Sequence, residues 1–211
     1  MTRIFFPVCA ALLLNACAGA PPAPEWQSNA HQALQGFETA YLKGDTRIAQ
    51  AEFARARAEL ASTGRAEIVA RAELVRCAVQ TASLVFDDCP GFVALAADAS
   101  AADRAYAEYL AGRWEAIKVD LLPPQHRPVV ASGALPEDPL SRLVAAGALL
   151  RASRISPAAI ALASDTASAN GWRRPLLAWL GVQEKRAADA GDTEAANRIR
   201  RRIDLTTKGG E

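Results

Sequence analysis

Apolar residues recur along this chain at helical spacing. Ala30, Leu34, Phe37 and Tyr41 fall at i, i+4, i+7 and i+11, and Ala49, Phe53, Ala56 and Leu60 repeat that pattern. Ile68, Ala72, Val75 and Val79 repeat it again. A period near 3.6 places each set on one face of a helix, whereas a half-buried strand needs strict alternation. A chain written this way buries its apolar surface by laying helix faces against one another.

The punctuation between these runs agrees. Gly44 suits a left-handed helix end, and Asp45 suits the cap of the next helix. Gly191 and Asp192 offer the same pair. Ser100 and Asp103 have the spacing of a capping box. Asp138-Pro139 and Ser156-Pro157 each set a capping side chain before a first-turn proline. The spacing predicts helices over 27–43, 46–62, 65–83, 101–111, 113–121, 139–152, 157–169, 173–190 and 193–204. Five of the twelve prolines lie from Pro123 to Pro139, so an irregular connection is expected there. The fold class is all-α, about nine helices in a single domain over 26–204. Subdomains at 26–122 and 138–204 are possible, and a disordered tail is expected at 205–211.

The N-terminus carries a different signal. Arg3 precedes an apolar run from Ile4 to Leu14, eleven residues long. A membrane-spanning helix needs about 20, so this is the pattern of a secretory signal over 1–16. The run ends at Leu14-Asn15-Ala16-Cys17. These four residues resemble the lipobox of bacterial lipoproteins. The resemblance implies cleavage before Cys17, acylation of its thiol and an anchor in the cell envelope. Ala18 in place of an aspartate implies the outer membrane, facing the periplasm. Residues 17–25 then form a lipidated Ala/Pro tether of extended character.

Removing the first sixteen residues takes one arginine away and leaves 23 basic against 23 acidic side chains. A formally neutral chain has no electrostatic case for nucleic acid. The signal also disposes of cysteines. Cys9 leaves with it and Cys17 takes lipid, so Cys77 and Cys89 remain as one pair in an oxidising compartment. Bridged Cα atoms lie about 4.4–6.8 Å apart. A disulfide between these two therefore requires the third helix to end near Ser83, with the chain reversing through "FDDCPG" at 86–91.

"AYLKGD" at 40–45 and "EYLAGR" at 108–113 share Tyr-Leu-x-Gly. Gly44 and Gly112 stand 68 residues apart, twice the 34-residue period of tetratricopeptide repeats. The segment 44–56 resembles the second helix of that repeat, with Ala49, Phe53 and Ala56 at its small, aromatic and small positions. The resemblance implies hairpins stacked in an array with a binding face. The alternative is an irregular bundle of antiparallel helices joined by short turns.

Little in the sequence carries chemistry. His31 and His126 have no Cys or His near them at metal-ligand spacing. Nucleophile-elbow, phosphate-loop and dinucleotide motifs are absent from the sequence. Asp87-Asp88 is two adjacent carboxylates in a turn, too few oxygens for calcium. Arg198, Arg200, Arg201 and Arg202 sit at the expected end of the last helix, where positive charge complements the dipole. Trp172 and Trp179 share a helix face with Leu176, as core residues do. The expected function is therefore binding or scaffolding of an envelope protein partner, with no catalytic, cofactor or metal residues. A peptidoglycan-acting enzyme or its activator, and a structural spacer, remain alternatives.

Overall fold

The computed structural model describes residues 24–115 and 117–208. Ten α-helices occur among them, and no strand: α1 Glu25–Lys43, α2 Thr46–Ala61, α3 Ala66–Ala82, α4 Pro90–Val93, α5 Ala101–Leu110, α6 Arg127–Ser132, α7 Pro139–Arg151, α8 Pro157–Ala169, α9 Arg173–Asp189 and α10 Thr193–Lys208. Short 3-10 turns occupy Val119–Leu121 and Pro124–His126. The all-α class is as expected. None of the described helices is long and apolar enough to cross a membrane. The signal segment, Cys17 and the tether up to Ala23 lie outside the described residues.

Most helix ends form where the caps put them. Ser100 and Asp103 make a complete capping box. The Asp138 and Ser156 side chains accept the backbone N–H groups of Ser141 and Ala159. Asp192 accepts from Ala195 at 2.9 Å, whereas Asp45 makes no side-chain cap. Gly44, Gly112 and Gly191 all have positive φ. At each, the following residue's N–H reaches back to the carbonyl five residues earlier, which closes the exposed end of the preceding helix.

The expected helix over 113–121 does not form. After Gly112 the chain turns Trp114 inward. Its indole stacks on Tyr109 at 5.4 Å and donates to the Tyr109 carbonyl at 2.9 Å. Arg113 grips Glu108 with two hydrogen bonds. Burying one large aromatic outweighs helix propensity here, and only a single 3-10 turn remains. The likeness of 108–121 to 40–56 therefore ends at the glycine. Two short helices, α4 and α6, lie where irregular chain was expected. Residues 205–208 of the expected tail are helical, because α10 runs through Lys208, and 209–211 lie outside the described residues.

At the centre, α3 packs against α7. Leu143 to Leu149 of α7 are all buried, the pattern of a helix covered on every side. Gly147 allows the close crossing, since a Cβ there would meet the Thr81 carbonyl. The α1–α2 hairpin covers α3, while α8 and then the α9–α10 hairpin follow α7. One apolar cluster runs from Ala70 through Leu143 to Trp179, so 26–122 and 138–204 share a core rather than forming subdomains. The first and ninth helices also meet: Arg174 of α9 donates to the Tyr41 carbonyl at 2.7 Å and lies over the Tyr41 ring. Repeats in a solenoid touch only their neighbours. Contacts between α1 and α9, and between α3 and α7, make this the irregular bundle.

Candidate functional site

Cys77 and Cys89 are joined, with Cα atoms 5.8 Å apart. α3 ends at Ala82, as the bridge requires. The Leu84 N–H bonds to Thr81 and the Val85 N–H to Gln80, a left-handed cap with leucine (φ 58°) at the position glycine usually fills. Asp87 accepts the Cys89 N–H at 3.0 Å, and Asp88 pairs with Arg151 at 3.1 Å. The sulfur atoms that lie near the Asp87 carboxylate are bonded to each other.

Beside this, the outer face of α3 forms the floor of an apolar groove. Two depressions of about 410 and 450 Å³ meet at Arg71 and Val75. In the first, Trp26 and Leu34 of α1 face Ile68 and Ala72. In the second, Tyr106 of α5 and the Leu121–Pro124 segment face Leu74. Fold irregularity builds the second half. The chain that failed to form a helix after Gly112 returns as a 3-10 turn, and Arg127 fixes it by donating to the Leu122 and Asp120 carbonyls.

Arg71 crosses the groove and bonds both oxygens of Asp103, at 3.2 and 3.3 Å. Burial acts upward on the Asp103 carboxyl. The hydrogen bonds from Arg71 and Ser100, with the Arg71 charge, outweigh it and hold the group below its ordinary value. The Arg71 side chain is exposed while Asp103 is buried, so the bridge ties the groove face of α3 to the capped start of α5.

The remaining singled-out residues separate clearly. His31 is exposed at the rim of the first depression. His126 is 2% exposed, and its Nδ1 lies 3.2 Å from the Tyr109 hydroxyl. Burial pushes its imidazole down to about 4, against a smaller upward pull from Asp138. Trp179 is fully buried and donates to the Ala82 carbonyl at 3.1 Å, a core role. Trp172 and Leu176 pack against that core. The arginines of α10 are not at a helix end. Arg198 pairs with Glu194 within α10, and Arg200 reaches Glu184 of α9 at 2.7 Å, so Arg200 clamps the hairpin rather than answering a dipole. Reading the sequence also missed Tyr106 and Pro123 as groove residues, and Glu73 as a buried charge. The apolar stripe of α3 marks Ile68 and Val75, but nothing local marks what faces them.

No protein-family model, no curated protein and no solved structure matches this chain.

Proposed function

We propose that this chain is a lipid-anchored, periplasm-facing envelope protein that works by binding a protein partner rather than by turnover. The anchor rests on the lipobox-like Leu14-Asn15-Ala16-Cys17. The binding role rests on one observation, the apolar groove along α3. Its floor from Arg65 to Val75 spans about 15 Å at the helical rise. That is the reach of an i, i+3, i+7, i+10 apolar face, so the occupant is an amphipathic helix of the partner.

The test has two arms. Cys17→Ser should leave an unprocessed precursor, and intact-mass analysis of membrane-extracted protein showing a cleaved chain without acyl groups refutes the anchor. For the groove, partners are captured from detergent-solubilised membranes by the parent chain and by Leu34→Asp and Val75→Asp variants. Leu205→Asp on α10, where the side chain is 74% exposed, is the control. A discrete partner kept by the control and lost by both groove variants is the expected result. Equal capture by all four chains overturns it, as does fragment release from isolated peptidoglycan that one carboxylate substitution abolishes.

A further inference from the structure

Among the described residues, Glu73 Oε2, Arg76 Nε, Gln80 Oε1 and Ser83 Oγ are buried side-chain atoms without a hydrogen-bond partner. The first three belong to α3 at i, i+3 and i+7. At 100° per residue they lie on the side of α3 roughly opposite Arg71 and Val75. All three residues line one cavity of about 470 Å³ between α1, α2 and α3. A buried polar atom left without a partner costs about 1–3 kcal/mol. Their concentration around a single cavity marks a place that something else completes.

The cavity has a charged end and an apolar end. Glu73 is 3% exposed. Arg57 of α2 donates to its Oε1 at 3.0 Å. Arg76 approaches its Oε2 at 2.9 Å, at an angle that makes an ion pair but not a hydrogen bond. Two guanidiniums around one carboxylate leave an excess positive charge. Each guanidinium carries five N–H donors, more than Glu73 can accept. Phe37, Tyr41 and Phe53 supply the apolar end, and Arg76 lies over the Phe53 ring at 5.1 Å.

We propose that this cavity binds the carboxylate of an N-acylated apolar amino acid, either free or as the C-terminal residue of a peptide. The carboxylate takes donors of Arg57 and Arg76 in charge-assisted hydrogen bonds. The neighbouring amide N–H supplies the donor that Gln80 lacks. The side chain lies over Tyr41 and the outer edge of the Phe37–Phe53 pair, whose rings pack on each other at 5.2 Å. The site is separate from the groove on the other side of α3, so either can fail without the other.

The probes are N-acetylphenylalanine, its C-terminal amide, and a tetrapeptide ending in phenylalanine, each titrated into the purified full chain and followed by amide NMR and calorimetry. The acid should bind saturably and shift amides of α1–α3 around the cavity. The amide should bind at least about tenfold more weakly, the loss of one charge-assisted contact. Arg57→Gln should weaken the acid by a similar factor. Ala54→Trp, at an exposed cavity position, should abolish binding with helicity unchanged, and it leaves the Glu73 pairs in place. A peptide that binds more than tenfold tighter than the free acid identifies a chain terminus as the source, and equal affinities identify a free acid. Equal binding of acid and amide overturns the proposal, as do shifts mapping elsewhere or no shift at millimolar probe.

Discussion

His126 shows how much one buried side chain can control. Its ring sits against Tyr109 at 5.0 Å and Tyr106 at 5.6 Å, with little water to solvate a charge. In the unfolded chain it protonates near 6.5, and in the folded protein only near about 4. Between those values the unfolded state binds the extra proton, so stability is full above pH 6.5 and falls as pH drops toward 4. The slope is about 1.4 kcal/mol per pH unit in that window. Glu38 works in the opposite direction near the acid end, because burial and then the Asp138 charge raise its carboxyl above the ordinary value. Comparing urea unfolding of the parent and His126→Gln across pH 4–7 isolates the histidine. The parent should lose stability through this window and the variant should not. Parallel curves contradict the assignment, as does a His126 ring signal that titrates near 6.5.

At the scale of elements, the disulfide and one glycine fix how α3 meets its neighbours. The bridge closes a loop with a sequence separation of 12, which is worth about 3 kcal/mol on the chain-entropy account. Reduction should lower the unfolding free energy by about that much and remove hydrogen-exchange protection first from 84–93. Protection lost evenly over the whole chain would point to a bridge without that local role. Gly147→Ala should cost about 1–3 kcal/mol, because the added carbon meets the Thr81 backbone carbonyl and the helices must part. Denaturant titration of that variant checks it, and an unchanged midpoint shows that α7 can shift freely. Ser156-Pro157 and Asp138-Pro139 specified their helix starts because caps act within one turn. The break after Gly112 has no local mark, because the gain of Trp114 lies in stacking on Tyr109 and sealing a core that the local sequence does not display. The groove was half legible for the same reason. Ile68 and Val75 belong to a readable stripe, but Tyr106 and Pro123 reach them only through tertiary packing. Glu73 carries no local mark at all, since its burial depends on Arg57 of another helix.

Across the whole molecule, the bundle is held by contacts between its two halves. Leu74, Cys77 and Ala82 of α3 share one cluster with Leu143–Leu149, Ile160 and Trp179. The Trp179 indole bonds the Ala82 carbonyl, and Arg174 ties α9 to the end of α1. A fragment of residues 26–122 would leave the inner face of α3 without α7 and α9, exposing apolar area worth about 25 cal/mol per Å². A solenoid of the same helices would behave differently, since truncation there removes only one neighbour's contacts. The fragment should therefore show weak helicity and no cooperative unfolding transition. The full chain should unfold in one step, with circular dichroism and tryptophan fluorescence coinciding. Its tryptophans suit that test: Trp26 opens α1, Trp114 follows α5, Trp172 precedes α9 and Trp179 lies within it. Single Trp→Phe variants assign the signal to each half. If the 26–122 fragment unfolds cooperatively with a midpoint near that of the full chain, the halves are independent and the shared core does not govern stability. Separated midpoints for Trp26 and Trp179 in the full chain lead to the same conclusion.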